Sequence, residues 1–183
     1  MLDFVEAGTK ELQRRISETR TAVVLLGSAA EGLEERRSIA RKLLDEQIVA
    51  VIPEDDFPAD IALSLAERTL LSMEGIDLIF VNVQSWGSAA EFAELSGNDK
   101  VVRKLRVLVT RKYHPFYGSS KGYLTDAYLT HDAVFGHVYM CRGKTEEGRG
   151  GDADGTPDWM PSPDEIILRI SARYRQWKAL NSG

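Results

Sequence analysis

Hydrophobic positions along the chain follow two alternating periods. Short unbroken apolar runs at Thr21–Leu26, Ile48–Ile52, Ile76–Val83 and Arg106–Thr110, with another around Phe135–Cys141, have the length and β-branched content of strands buried on both faces. Between them apolar residues recur every three or four positions. Leu33, Ile39, Ala40, Leu43 and Leu44 mark a helix over 33–47, and Ala62, Ala66, Leu70 and Met73, with Ile61 and Leu65 beside them, mark another that Asp60 can cap. Ser88–Gly97 reads as a helix of small and apolar residues, and a short one is expected around Leu124–His131. Leu2, Val5, Thr9, Leu12 and Ile16 form the stripe of a docking helix over 2–19. Ser162, Pro163 and Glu165 supply a cap, a first-turn proline and a capping-box acid for a last helix over 163–180, with Ile166, Ile170, Tyr174 and Trp177 as its buried stripe.

Strands alternating with helices through short connections imply an α/β architecture: a doubly wound, five-stranded parallel sheet with helices on both faces, in the order 2-1-3-4-5. The connections 27–32, 53–60, 82–91, 111–123 and 142–158 then share one edge of the sheet. A pocket is expected there. The segment 142–158 carries one apolar side chain, Ala153, and five glycines, which predicts a mobile loop.

Composition narrows the function. A chain of 183 residues is long enough for one sizeable core, so a single domain over 1–183 is expected. A net charge of −5 gives no general attraction to phosphate backbones, so a nucleic acid partner is not expected. The N-terminus, MLDFVEAGTKELQRR, has neither a signal-peptide pattern nor an apolar run of membrane-spanning length, and Cys141 is the only cysteine; a cytosolic protein with no membrane association is the expectation. His114, His131 and His137 lack metal-ligand spacing and there is no HExxH, so no metal site is expected.

The candidate chemistry lies in the strand-end connections. GSAAE occurs twice, at Gly27–Glu31 and Gly87–Glu91, each time between a strand and a helix. Ser-x-x-Glu is a capping box, and that structural reading applies to both copies. Glu91 has a second reading, because Trp86 and Phe92 flank it with aromatic surface and Ser88 adds a hydroxyl. A carboxylate near a helix N-terminus is held ionised, which suits a nucleophile or a stabiliser of an oxocarbenium-like sugar carbon. The turn Gly27, Ser28 to Gly32 has P-loop glycine spacing without the Lys and Ser/Thr, so a Walker motif is excluded; its backbone N–H groups could hold a phosphate, with Arg36 or Arg37 assisting. Glu54, Asp55 and Asp56 follow the second strand in an acidic loop, where an acid can bond ribose hydroxyls or simply be solvated. Tyr113, Phe116, Tyr117 and Tyr123 could cover a base or pin their loop to the core.

These residues carry a resemblance. Thr21–Gly97 resembles the nucleoside 2-deoxyribosyltransferase-like group and the related TIR domains: Asp77 opens a strand, Gly87-Ser88-Ala89-Ala90-Glu91 matches Gly-Thr/Ser-x-x-Glu, and Trp86 precedes the glutamate as in TIR domains. The resemblance covers less than half the chain. It implies a flavodoxin-like sheet and cleavage or exchange at the N-glycosidic bond of NAD or a nucleoside, with Glu91 catalytic and Asn82 and Ser88 positioning ribose. NAD would be a substrate, and no cofactor is implied. It also implies assembly as a homo-oligomer or with a partner protein. Relatives of this kind act in bacterial and archaeal antiviral or toxin systems, and some are only nucleotide sensors.

Overall fold

A computed structural model describes residues 2–28, 31–58, 63–143 and 159–181. Five strands, β1 (Thr21–Gly27), β2 (Ile48–Val51), β3 (Leu78–Val83), β4 (Leu105–Thr110) and β5 (Val138–Cys141), form a parallel sheet in the order β2-β1-β3-β4-β5. The helices are α1 (Leu2–Glu18), α2 (Glu31–Asp45), α3 (Pro53–Asp56), α4 (Leu63–Leu71), α5 (Trp86–Ser96), α6 (Tyr123–Phe135) and α7 (Pro163–Asn181). This is the doubly wound, flavodoxin-like arrangement that the alternating pattern predicts.

The two sheet faces carry separate cores, because successive strand residues point to opposite sides. Val24, Leu26, Ile79, Val81 and Val107 pack against Leu71 of α4, Phe92 of α5 and Tyr128 of α6. On the other face Val23, Leu25, Leu78, Phe80 and Leu108 pack against Ile39 and Leu43 of α2 and Ile166 and Ile167 of α7. The helices change face between β1 and β3. A crevice therefore opens over the carboxyl ends of these neighbouring strands, at Gly27 and Asn82.

The structure corrects several local expectations. EDDFPAD is not simply a loop: Pro53 starts the helical turn α3, with φ preset for a first helical position, and Asp56 accepts the Ile52 N–H at 2.7 Å. Met73 is exposed because α4 ends at Leu71, which takes the buried position instead. In α2, Ile39 and Leu43 are buried but Leu44 points outward. On α7, Ile166 is buried as expected and Ile170 and Tyr174 are partly buried against the core, but the fully buried line continues through Ile167, Ser171, Arg175 and Ala179, and Trp177 is 57% exposed. The start of α7 is as expected, with the Ser162 N–H donating to the Glu165 carboxylate at 2.8 Å. Helix α1 packs on α7, with Leu12 exposed and Ile16 half-buried. Helix α6 extends to Phe135 and ends at Gly136, whose φ of 67° closes the helix through its N–H to Asp132 O at 2.7 Å. Asp60, Ile61 and Ala62, the side chains of Leu65, Ala66, Leu2 and Val5, and the expected mobile loop from residue 144 onward lie outside the described residues.

Two buried devices close the amino-terminal edge of the sheet. Asp77, immediately before β3, accepts the Ala22 N–H at 3.0 Å and the Lys178 ammonium at 2.8 and 2.9 Å. Arg175, 7% exposed, donates to the carbonyls of Ser17, Thr19 and Glu46 and to Gln47 Oε1, tying α7 to the end of α1 and to the turn before β2.

The loop after β4 depends on Gly118. A Cβ there would lie 2.4 Å from Lys112 O, 2.6 Å from His114 O and 2.8 Å from Arg111 O, all backbone atoms. Gly118→Ala is expected to destabilise by about 1–3 kcal/mol, since the turn must spread to admit a methyl group. Thermal melting measures the loss, and a variant that melts with the parent would show that the turn yields freely.

Candidate functional site

The crevice is built from the ends of β1 and β3 and the first turns that follow them. After β1, Gly32 lets the Ser28 hydroxyl lie against α2; a Cβ on Gly32 would sit 2.4 Å from Ser28 Oγ. After β3 the chain turns at once into α5, and the capping differs from the sequence expectation. Ser85, not Ser88, is the N-cap: its hydroxyl accepts the Ser88 N–H at 3.2 Å, and Ser88 Oγ accepts the N–H groups of Ser85 and Gln84 at 3.1 and 3.2 Å. Ser88 is 1% exposed and is committed to this box. Glu91 therefore lies beyond the capping turn and is no capping acid.

Trp86 is 86% exposed at the first position of α5, and Phe92 is fully buried against Tyr128, with ring centroids 4.9 Å apart. One carboxyl oxygen of Glu91, Oε2, is buried without a hydrogen-bond partner among the described residues. Burial first, and then the carboxylates of Glu67 and Glu54, raise its pKa to about 7, against the pull of Arg36. Desolvation and like charge thus favour the protonated form, opposite to the effect of a helix terminus. Glu67, on α4, is likewise raised, by burial and by Glu54 and Glu94.

Arg36 is the organising cation, 5% exposed. It makes a bidentate pair with Glu54 at 2.7 and 2.8 Å and donates to Leu25 O and Ser28 O at 3.2 Å, locking the end of β1 to α3. Arg37 pairs bidentately with Asp55 and also with Glu34. Neither arginine stands open to a phosphate, as one sequence reading supposed. The carboxylates of Glu54, Asp55 and Asp56 each have a protein partner: Arg36, Arg37 and the Ile52 N–H.

Asn82 and Gln84 occupy alternate positions at the end of β3 and are half-buried. Asn82 Oδ1 and Gln84 Nε2 are buried atoms without partners among the described residues. With Ser28, Arg36, Phe80 and Ile167 they line a cleft with space for about one water molecule. Tyr113 and Tyr117, 41% and 66% exposed, lie on the loop after β4, where the Tyr117 ring packs, tilted by 30°, on buried His114 with centroids 4.9 Å apart. That contact pins the loop.

Glu67 and Gln84 carried no local motif. Glu67 precedes Glu91 by a full helix–strand unit, and only the crossover onto the same sheet face brings their charges together. No cluster of three or more His, Cys, Asp or Glu suited to a metal ion occurs among the described residues, and none of their helices is long and apolar enough to cross a membrane.

The fold and crevice define a class, a flavodoxin-like α/β protein with a protonatable carboxyl at its strand-end edge. No family model matches the chain, and no curated protein matches it significantly.

Proposed function

We propose that the chain is an enzyme that hydrolyses or transfers at the N-glycosidic bond of NAD or a nucleoside, with Glu91 as the carboxylate facing the sugar. The observation that carries this reading is the buried, unpartnered Glu91 Oε2 at the strand-end edge. Such an oxygen is available to a reacting atom without first breaking a protein hydrogen bond.

The chemistry follows from charge. As the bond from the sugar carbon to the base nitrogen breaks, its electron pair leaves with the base, and the cation that develops on the sugar is stabilised by ionised Glu91. Nicotinamide leaves neutral, because its ring nitrogen is already cationic in NAD, so that step needs no acid. Water then bonds to the sugar carbon through oxygen and loses a proton to Glu91, whose proton affinity near neutral pH suits a general base. An acceptor base in place of water gives transfer. Asn82 and Gln84 offer amide groups to the polar parts of the substrate. Admission of a base or ribose to the cleft requires side chains there to move.

That narrowness, with the acidic residues after β2 already engaged, favours a second reading: a non-catalytic nucleotide-sensing or interaction module of a bacterial or archaeal defence system. Chromatography of products after incubation of the parent and Glu91→Gln with NAD, nucleosides and deoxynucleosides separates the two. Free base or nicotinamide from the parent alone supports the enzyme. No product at high protein concentration, with a nucleotide still raising the melting temperature, overturns it in favour of the sensor.

A further inference from the structure

The segment from Lys100 to Thr125 contains seven lysines and arginines and no acid, in a chain whose net charge is −5. Three of these cations, Arg111, Lys112 and Lys121, are exposed on the loop after β4, which also exposes Tyr113, Phe116 and Tyr117 and leads into α6 at Tyr123. Val109 pairs with Val83 and Thr110 with Cys141, so the loop leaves the sheet at its carboxyl edge, beside the connection that follows β3.

Backbone hydrogen bonds give this loop a fixed shape. The His114 N–H donates to Arg111 O at 3.2 Å, the Gly118 N–H to His114 O at 2.8 Å and the Ser120 N–H to Lys112 O at 3.1 Å. The last of these folds the second half of the loop onto the first and brings the backbone of Lys121 close to that of Lys112. His114 is buried, its Nδ1 accepts the Phe116 N–H at 3.3 Å, and the rings of Phe116 and Tyr117 lie against it with centroids 6.1 and 4.9 Å away. Those two rings still face outward, Phe116 being 61% and Tyr117 66% exposed, and Tyr123 is 82% exposed. The Lys112 ammonium lies 5.3 Å from the centroid of the Tyr113 ring. Aromatic surface held in water by an ordered loop is unfavourable by itself, and such a patch marks a contact face.

Charge selects the partner. Aromatic faces interleaved with cations, with no carboxylate between them in the chain, suit a strand of unpaired nucleotides, whose bases stack on the rings while its phosphates meet the cations. A single nucleotide engages one ring and one or two cations. Four rings and three cations are displayed here, enough for several successive nucleotides.

We propose that the loop 111–123 is a docking platform for single-stranded nucleic acid, with Phe116, Tyr117 and Tyr123 as stacking surfaces and Lys112 and Lys121 as phosphate contacts. The negative net charge gives such a strand no long-range attraction, so its binding depends on this local patch. The platform is independent of the reaction proposed at Glu91.

The test is fluorescence anisotropy of labelled oligothymidylate and oligouridylate, each about 12 nucleotides long, titrated with the full chain. Binding is expected to weaken about 20-fold between about 50 and 200 mM salt, as for roughly three neutralised phosphates. Phe116→Ser should weaken it about tenfold, and joint Lys112→Gln and Lys121→Gln should weaken it and flatten the salt dependence. Trp177→Ser, which removes an exposed ring on α7, should leave it unchanged. Tighter binding of one oligomer assigns the platform to DNA or to RNA, within the same proposal. No binding, binding that neither the Phe116 nor the lysine substitutions move, or equal binding of a duplex of the same length overturns it. Binding of polyglutamate in place of both oligomers also overturns it and gives the face to an acidic protein. All the substituted side chains are exposed, and melting curves verify that each variant folds; should Phe116→Ser not fold, the lysine pair decides the matter by the same criteria.

Discussion

Glu91→Gln is expected to raise stability at pH 8 while it removes turnover. The carboxyl of Glu91 has its folded-state pKa raised to about 7 from an ordinary 4.5, chiefly by burial and then by Glu67. Between those values the folded state binds more protons than the unfolded one, so stability falls as pH rises through this window. Below pH 4.5 the group is protonated in both states and no penalty arises. Above 7 the penalty is complete. After discounting for the solvent that still reaches Glu91, it is on the order of 1 kcal/mol. Glutamine keeps the shape and cannot ionise, so the variant should lack this fall: the two proteins melt together near pH 4 and separate toward pH 8, the variant higher. Under the proposed mechanism the same change lowers product release by about 100-fold or more, because neither the cation nor the attacking water finds a carboxylate. Parallel stability profiles across this range would mean that Glu91 is solvated as in a free peptide, and the crevice would lose its defining feature. Unchanged turnover would remove Glu91 from the mechanism whatever the melting curves show. A gain in stability on removing a group is the mark of one retained for function.

Arg175→Met should have the opposite effect, a large loss of stability with the crevice untouched. The guanidinium serves the carbonyls of Ser17, Thr19 and Glu46, at 3.2, 3.1 and 2.5 Å, and Gln47 Oε1 at 2.9 Å. Methionine fills most of the space but leaves these acceptors without their donor in a buried place. The expected cost is about 3 kcal/mol, or roughly 10 °C in melting temperature for a chain of this size. The turn it holds is itself strained, with Gln47 at a φ of 58° that non-glycine residues seldom adopt. A loss below about 1 kcal/mol would mean that water replaces the guanidinium at these acceptors. Because Arg175 sits at the amino-terminal edge of the sheet, any activity of the folded fraction should be unchanged.

The legible and illegible parts of this molecule divide along a physical line. Periodicity was sufficient for the strands and the parallel order, since a run such as Ile76–Val83 is stable only when covered on both faces and a right-handed crossover permits few topologies. Capping was legible where the signal was unambiguous, as at Ser162 and Glu165. It failed at Ser88, where Ser85 stands three residues earlier and competes for the same role. Surface and interior were confused on α7, because Trp177 has the hydrophobicity of a core residue but the wrong phase, while Arg175 has the right phase and a polar head satisfied by backbone carbonyls.

For the crevice, the sequence by itself determined the edge of the sheet and the helix after β3 that carries Glu91, since both follow from local order: strand, turn, helix, glutamate. Only the tertiary structure decided the state of that carboxyl. A pKa depends on what surrounds a group in space, and Glu67, Arg36 and Glu54 approach Glu91 from three other helices, α4, α2 and α3. The same holds for the acids after β2: their position was legible, but their pairing with Arg36 and Arg37 across 18 residues of chain was not. Charge pairing and desolvation are properties of the packed chain, and no short stretch of sequence contains them.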